Sequence, residues 1–303
     1  MSIFVINAGS SSLKFSIFDA DAYETVVSGL IDWGGDSQQA ELVISFQDAA
    51  PVRSQIEVPD HKAALAHVVR SLADAKLISG EKPSLMVVGH RVVHGGATFR
   101  NSIRIDAAVK AEIARLAELA PLHNPPALEA IQAAENALPG VPQVAVFDTA
   151  FYSQLPPSAY IYPLPYQWYA DWGIRRFGFH GISHAYCADR AAEMLCRDSD
   201  GLRIVSCHLG NGCSATAIRD SVAIATTMGF TPMEGLMMGT RSGSVDPGIL
   251  LHLQQHRGLT AEQLDHALNH DSGLLGVSGI SSDYRQVEAA VQGRPTVAGV
   301  FSR

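Results

Sequence analysis

Apolar and polar residues follow two different periodicities along the chain. Short apolar runs at 3–6, 85–88 and 144–147 predict buried strands. Apolar residues spaced three and four positions apart predict helices over 61–78 and 106–120. Because the predicted strands and helices alternate, the pattern favours an α/β fold.

Two further helices are predicted from the residues that would begin them. Asn124 is followed by a proline, an order typical of an N-cap and a first helical position, which predicts a helix over 125–137. Thr260 and Gln263 have the spacing of a capping box, so we expect a helix to begin there.

The first predicted hairpin has a turn made of small residues. Apolar runs at 3–6 and 15–18 flank the sequence Asn7-Ala-Gly-Ser-Ser-Ser, and Lys14 follows the turn. Hairpin turns favour such residues in any case. Small residues also let backbone N–H groups and hydroxyls approach an anion, and a lysine adds a point charge. A plain turn and a phosphate site are both open, but a Walker A loop is not, because a strand follows.

A second stretch of the chain repeats this arrangement. Residues 203–220 contain an apolar run, a glycine turn and a second strand-like run. At one fixed offset, Asn7 aligns with His208 and Gly9 aligns with Gly210. The match predicts duplicated domains whose phosphate-binding hairpins face each other across a cleft, although two unrelated hairpins would also give so short a match.

The bulk composition narrows the class of protein. The 303 residues suffice for two domains, and a Pro-rich, aromatic segment at 155–166 predicts a boundary between 1–150 and 151–303. The net charge of −8 argues against general nucleic-acid binding and against attachment to a membrane surface. No apolar stretch approaches the roughly 18 residues that a membrane span requires. With no N-terminal leader and no CxxC pair among four cysteines, we expect a cytoplasmic protein.

Polar side chains follow two of the predicted strands. Arg91, between His90 and His94, follows one apolar run, and Asp148 follows another. Ligands in α/β folds bind beyond the carboxyl ends of strands, so these positions favour function. Taken singly, Arg91 could form only a surface ion pair, and Asp148 could only cap a helix.

The chain lacks the motifs that two classes of enzyme need. His180 and His184 have the spacing of a zinc-binding helix, but the H-E-x-x-H glutamate is missing and Gly181 follows His180. The segment 94–96 is similar to an esterase oxyanion loop, yet the chain has no G-x-S-x-G nucleophile elbow. The sequence therefore predicts neither a zinc site nor a serine hydrolase.

Eight stretches of the chain resemble the acetate kinase family, which shares a superfamily with sugar kinases, actin and the heat-shock ATPases. They are NAGSSSLKFS, GHRVVHGG, PLHNP, VAVFDTAF, RRFGFHGISH, HLGNGCS, MGFTPMEGLMMGTRSG and SGLLGVSGISSDYR. The resemblance implies two duplicated actin-like, ribonuclease H-like domains, with mixed sheets flanked by helices and an active site in the interdomain cleft. It implies an acetate and phosphate domain at 1–150 and a nucleotide-binding domain at 151–303.

The resemblance also implies an activity, the reversible in-line transfer of a phosphoryl group from ATP to acetate with Mg²⁺. Acetate is ionised near neutrality, so the reaction needs positioning and electrostatic stabilisation rather than a strong base. By resemblance, Arg91 and Arg241 grip the carboxylate and the phosphoryl group, and His180 shares the transition-state charge. Asp148 would hold Mg²⁺-bound water or orient Arg91, and Asn7 matches a metal-site residue.

The resemblance to the family also implies which residues bind the substrates. An apolar cup for the acetate methyl group is implied at Val93, Leu122, Phe179 and Pro232. Propionate-preferring relatives have Ala at the position of Val93, so a graded preference for acetate is expected. The implied nucleotide-binding residues are Ser10, Ser12, Lys14, His208, Leu209, Gly210, Asn211, Gly212, Asp283, Tyr284 and Arg285.

The chain departs from the family pattern in places. Tyr152 stands where the family usually has His, and Ser244 stands where it usually has Asp. The family continues past Arg303 with a C-terminal quarter, so we expect an incomplete second domain, weak ATP binding and slow turnover. The alternatives are a propionate or other short-chain acyl kinase and a non-catalytic remnant that binds nucleotide or acetate. A homodimer is expected, with small-molecule substrates and no nucleic acid.

Overall fold

The computed structural model describes residues 1–9, 11–34, 39–47, 49–75, 77–78 and 85–291. The chain divides into two compact units, Met1–Ala150 and Phe151–Arg303. Each unit has its own sheet and its own helices, which confirms the predicted α/β class. In the described part of the chain, no helix has both the length and the apolar character needed to cross a membrane.

The sheet of the first unit combines antiparallel hairpins with parallel strands. Its described strands are β1 (Ser2–Ala8), β2 (Ser12–Asp19), β3 (Thr25–Asp32), β4 (Gln39–Phe46), β5 (Val52–Glu57), β6 (Leu85–Val92), β7 (Ile103–Arg104) and β8 (Gln143–Phe147). They lie in the order β5-β4-β3-β2-β1-β6-β8-β7. β6 runs parallel to both β1 and β8, so the carboxyl ends of these three strands meet at one edge of the sheet.

Alternating burial explains why these segments form strands. In β1, Phe4, Ile6 and Ala8 are buried, while the residues between them are partly exposed. Side chains of a strand point alternately to opposite faces, so the alternation buries one face of β1. The hairpin that was predicted from the runs at 3–6 and 15–18 is confirmed, since β1 and β2 pair antiparallel.

Three described helices cover this sheet. They are α1 (His61–Asp74), α2 (Ala107–Arg115) and α3 (Asn124–Ala137). α1 and α2 begin at N-cap residues, because the carboxylates of Asp60 and Asp106 each accept a hydrogen bond from a backbone N–H three residues later. One core lies between the sheet, α1 and α3, and a second, smaller core holds the stacked rings of Phe99 and Phe147.

The predicted N-cap role of Asn124 is wrong. α3 begins at Asn124 itself, and its side chain makes no cap hydrogen bond. Instead, Asn124 Oδ1 accepts from the backbone N–H of His94 at 3.1 Å, and Asn124 Nδ2 donates to the His94 carbonyl at 3.1 Å. A buried amide that pairs with the backbone after β6 satisfies its polar atoms there, and it fixes the segment that follows Arg91.

The second unit has a smaller sheet. Its described strands are β9 (Arg203–Leu209), β10 (Cys213–Arg219) and β11 (Val222–Thr226), all antiparallel, in the order β11-β10-β9. The predicted second hairpin is therefore confirmed. The described helices are α4 (Pro157–Tyr160), α5 (Tyr166–Trp172), α6 (Gly181–Met194), α7 (Pro247–Arg257), α8 (Ala261–His270), α9 (Gly273–Ser278) and α10 (Tyr284–Val291).

The predicted capping box at the start of α8 is confirmed. Thr260 Oγ1 accepts from the N–H of Gln263 at 3.2 Å, and Gln263 Oε1 accepts from the N–H of Thr260 at 2.9 Å. Each side chain therefore satisfies a backbone donor that the first helical turn leaves without an intrahelical partner.

Candidate active site

Three polar side chains of the first unit meet where β1, β6 and β8 end. Arg91 on β6 donates from Nη2 to Oδ2 of Asp148 at 2.5 Å and from Nε to Oδ1 at 3.1 Å. Its Nη1 donates to Oδ1 of Asn7, on β1, at 3.0 Å. The structure thus brings together three of the residues that the sequence singled out.

The environment of this cluster keeps Arg91 charged. Asp148 is buried, and the Arg91 side chain is 30% exposed. Burial lowers the pKa of the Arg91 guanidinium, but the charge of Asp148 and its hydrogen bonds raise it by more, so the pKa lies above its ordinary value. Asp148 therefore acts in this structure as the anchor of Arg91.

The first hairpin turn is tied to α1. The N–H of Gly9 donates to the carbonyl of Ser12 at 2.8 Å, and the carbonyl of Gly9 lies 2.7 Å from Nε2 of His61. Ser12 is partly exposed and Lys14 is exposed, as binding an anion requires. Ser10, which was also predicted to bind nucleotide, lies outside the described residues.

The residues predicted for the acetate methyl group are divided between the two units. In the first unit, Val93 is buried directly after β6, whereas Leu122 is 54% exposed just before α3. In the second unit, Phe179 is buried and Pro232 is partly exposed. Their proposed common role stays a prediction.

Arg241 lies against the second hairpin turn. Its Nη1 donates to the carbonyl of Pro232 at 2.5 Å. A Cβ atom at Gly212 would lie only 2.8 Å from Arg241 Nη2, so glycine leaves room for the guanidinium, and it would lie in ordinary contact with Cε1 of His180 at 3.6 Å. Burial lowers the pKa of the Arg241 guanidinium, and the nearby Cys213 partly offsets this effect. Two predicted catalytic residues therefore border one glycine turn.

His180 is fixed by its backbone and by its ring. It precedes α6 in the left-handed conformation, with φ of 59°. Its Nδ1 lies 2.9 Å from Ser214 Oγ, which also lies 2.8 Å from Nε2 of His184. The one hydroxyl proton can be donated to only one of these rings, so the other ring must donate to the hydroxyl. Nδ1 of His184 lies 2.8 Å from Ser206 Oγ, so both of its ring nitrogens face serine hydroxyls.

A second ring supports His180. The rings of His180 and His208 stack, with centroids 4.0 Å apart and an angle of 21° between planes. His208 Nδ1 lies 3.0 Å from the hydroxyl of Ser183, in the first turn of α6. The end of β9 is thereby held against the N-terminus of α6.

The two departures from the family pattern have local hydrogen-bond partners. The Tyr152 hydroxyl donates to the carbonyl of Phe179 at 2.7 Å, directly before His180. The N–H of Ser244 donates to the carbonyl of Gly235 at 2.9 Å, and Ser244 Oγ accepts from the N–H of the same glycine at 3.1 Å. Each departure thus supports a segment that carries candidate site residues.

A cavity of about 770 Å³ opens in the second unit, a volume suited to a small-molecule ligand. It is lined by residues from four separate parts of the chain: Leu209, Gly210, Asn211, Cys213, Met237, Met238, Gly239, Leu274, Ser282, Asp283, Tyr284 and Arg285. Six of these were predicted from the sequence to bind nucleotide, so folding brings together the two segments that contain them.

The cavity also includes residues that sequence reasoning missed. Met237 and Met238 both line it, and Met238 is buried, whereas Met237 is 41% exposed on the cavity wall. Gly239 lies so close to the Asn211 side chain that a Cβ there would overlap it. The signal available in the sequence was the cluster of glycine and methionine between residues 233 and 239.

At the mouth of this cavity, Asp283 and Arg285 pair with each other. Arg285 Nη2 donates to Asp283 Oδ2 at 2.6 Å, and Nε donates to Oδ1 at 3.1 Å. The hydrogen bonds from Arg285 lower the pKa of the Asp283 carboxyl. The exposed pair offers both signs of charge to a ligand.

The chain matches one known protein family and is similar in sequence to several known proteins. The acetokinase family matches residues 2–299. An acetate kinase of Cyanothece sp. is 51% identical over 299 residues, which make up 96% of this chain and 73% of that protein. An acetate kinase of Desulfitobacterium hafniense is 47% identical over 291 residues, or 96% of this chain and 73% of that protein.

Solved structures give similar matches. The acetate kinase of Porphyromonas gingivalis superposes with a TM-score of 0.89 at 40% identity, over 99% of this chain and 75% of that one. A propionate kinase of Francisella tularensis superposes with a TM-score of 0.91 at 36% identity, with the same coverage. The predicted fold of two actin-like domains agrees with both.

Proposed function

The chain belongs to the acetokinase family, and from that premise we propose how its residues transfer a phosphoryl group from ATP to acetate. The observation that carries the proposal is the fixed position of Arg91 between Asp148 and Asn7, at the ends of three parallel strands. A charged guanidinium at this edge of an α/β sheet is suited to recognise a carboxylate.

The acetate carboxylate is the nucleophile in this proposal. It is ionised at neutral pH, so no side chain has to remove a proton. Each terminal nitrogen of Arg91 carries two N–H groups, and one on each is used by Asp148 or Asn7. The second N–H on each nitrogen is suited to hold acetate, while Asp148 fixes the direction in which the guanidinium points.

Arg241 and His180 are proposed to stabilise the phosphoryl group during transfer. Negative charge spreads over its equatorial oxygens in the transition state, and pre-positioned donors stabilise that charge most strongly in a partly buried site. Arg241 is charged at every physiological pH, and the Pro232 carbonyl orients it. His180 is held by Ser214 and His208, so little reorganisation is needed when charge develops.

ATP is proposed to bind with Mg²⁺. Asn7 Oδ1 and the Asp148 carboxylate are the hard oxygen ligands that Mg²⁺ prefers, and each has lone pairs beyond those facing Arg91. Mg²⁺ usually keeps several waters and binds the substrate phosphates, so few protein ligands suffice. Bound Mg²⁺ would neutralise phosphate charge.

The nucleotide is proposed to occupy the cavity of the second unit. The turn after β9 lines the cavity with Gly210 and Asn211, small and polar residues that let phosphates approach the backbone, and Asp283 with Arg285 offers polar partners to the ribose and base. The wall near Leu274 and Met237 is apolar, as an adenine ring requires.

Two finer properties are also proposed. A homodimer is supported by α5, where no residue is buried. Trp172 is 68% exposed beside Tyr166 and Trp168, and exposed aromatic clusters are typical of interfaces.

A cytoplasmic location is supported by the four cysteines, all of which are free thiols in the structure.

A second candidate activity is the phosphorylation of propionate, which the structural similarity to a propionate kinase favours. The test is a hydroxamate assay of acyl phosphate formation with acetate and with propionate, for the wild type and for Val93→Ala. We expect acetate to be preferred by the wild type, and the smaller side chain to shift the preference toward propionate by about tenfold. A wild type that uses propionate better would favour the second activity. Nucleotide binding with no product from either acid would contradict both.

A further inference from the structure

The segment between β11 and α7 carries Arg241 without having regular structure of its own. Residues 227–246 contain no helix or strand. The position of Arg241 therefore depends on contacts that hold this loop, and the most direct one is its 2.5 Å hydrogen bond to the Pro232 carbonyl. What fixes Pro232 consequently fixes the direction of the Arg241 guanidinium.

Glu234, two residues after Pro232, is held from two sides. Its Oε1 accepts from Arg176 Nη2 at 2.6 Å, and its Oε2 accepts from the hydroxyl of Tyr162. The oxygen of the same hydroxyl accepts from the backbone N–H of Phe230 at 2.8 Å. Tyr162 thus joins the start of the loop to Glu234.

Arg176 holds the loop at its first residues as well. Its Nη1 donates to the carbonyls of Thr227 and Met228, both at 3.1 Å. Its guanidinium also lies over the ring of Tyr162, 5.2 Å from the centroid. Arg176 and Glu234 are only 18% and 32% exposed, so solvent screens their ion pair less than a surface pair. Burial and the hydrogen bond to Glu234 raise the pKa of Tyr162, so the phenol keeps the proton that it donates.

Two glycines show how closely the loop packs on these side chains. A Cβ at Gly229 would overlap the Glu234 carboxylate and the Tyr162 hydroxyl. Gly235 has φ of +109°, and a Cβ there would lie 2.6 Å from the carbonyl oxygen of Thr227. The loop is therefore fixed in one close-packed arrangement rather than held by a single hydrogen bond.

We propose that Arg176, Glu234 and Tyr162 are positioning residues, which hold the Pro232 carbonyl so that it orients Arg241 for phosphoryl transfer. The proposal rests on the role of Arg241 proposed above. None of the three has to contact a substrate, because the effect passes through the loop backbone. A displacement of Arg241 by about 1 Å would be enough to slow transfer strongly.

The test compares Glu234→Gln and Tyr162→Phe with a matched control, Glu193→Gln, which alters an exposed Arg–Glu pair on α6. We expect both loop variants to lower kcat by about tenfold or more while KM for ATP changes less than about threefold, because Arg241 acts mainly in the transition state. The control should keep wild-type kinetics. Wild-type kcat in both loop variants would overturn the proposal.

A double-mutant cycle separates positioning from general damage to the fold. In an Arg241→Lys background, Glu234→Gln should lower kcat by less than about twofold, because the group that it positions is already altered. The same fold loss in both backgrounds would show a merely structural role and would contradict the proposal.

Hydrogen exchange gives a readout that does not depend on activity. Glu234→Gln should speed exchange of the amides of 227–243 and leave those of β10 unchanged, whereas unchanged exchange in the loop would contradict the clamp. The single variant Arg241→Lys tests the proposed role of Arg241 separately from the positioning role of the loop residues. If it keeps wild-type kcat, the role of Arg241 fails. If it lowers kcat while Glu234→Gln changes neither kcat nor exchange, the positioning role fails.

Discussion

The ring of His180 depends on one serine hydroxyl that also serves a second histidine. Ser214 lies 2.9 Å from Nδ1 of His180 and 2.8 Å from Nε2 of His184. If both rings are neutral and Ser214 donates to one of them, the two histidines carry their protons on the same kind of ring nitrogen. If Ser214 donates to His180, Nε2 of His180 carries the proton, which is the form that can donate to a phosphoryl oxygen.

At this scale we predict that Ser214→Ala lowers kcat by roughly tenfold, since His180 loses the partner that fixes its tautomer and orientation. The matched control is Ser206→Ala, which removes a hydroxyl from His184 but does not touch His180. Steady-state kinetics of both variants check this. Equal losses in the two variants would show that the serines act only through packing around His184.

Strand β6 carries Arg91, which we propose to hold acetate, and two buried histidines lie on this strand or directly after it. His90 is on the strand and hydrogen-bonds to Gln143 at 2.8 Å, while His94 follows it and accepts from the N–H of Gly96. Burial lowers the pKa of each ring to about 4, against an ordinary value of 6.5. Both rings are therefore neutral in the folded protein, and β6 is stabilised only while they remain so.

At the element scale this predicts a loss of stability in acid. Between pH 6.5 and pH 4 the unfolded chain binds protons that the folded chain does not, so stability falls as the pH falls, by up to about 3 kcal/mol for each histidine. The urea midpoint of the first unit, followed from pH 7 to pH 4, measures this. His90→Gln should reduce the dependence on pH. A midpoint that is flat across this range would contradict the lowered pKa values.

The elements that were predicted correctly depend on residues that lie close together in the sequence. The capping box of Thr260 lies within four residues, and the strand alternation of β1 lies within seven, so neither depends on distant contacts. Asn124 was misplaced because its side chain pairs with the backbone of a residue thirty positions away. No pattern near Asn124 distinguishes a buried pairing from an N-cap.

At the scale of the whole molecule, the motifs identified the family and most of the candidate site. Arg91, Arg241 and His180 were singled out because they stand in stretches that resemble a known kinase family. Arg176 and Glu234 were not, since they are fifty-eight positions apart and meet only when the loop after β11 has folded. The residues proposed to carry out the reaction could therefore be identified from the sequence, whereas the contacts that position them are seen only in the structure.

The most direct test of the proposed phosphoryl transfer is ³¹P NMR of the protein with Mg²⁺, ATP and acetate. This measurement follows the γ-phosphate of ATP into acetyl phosphate. We predict that wild-type protein forms acetyl phosphate only when acetate is present. Arg91→Ala should need more acetate for the same rate, and Arg241→Ala should be slow even with both substrates saturating. The control is Arg53→Ala, which breaks an exposed ion pair and should not change the rate. No acetyl phosphate from wild-type protein, or wild-type rates in both active-site variants, would contradict the account.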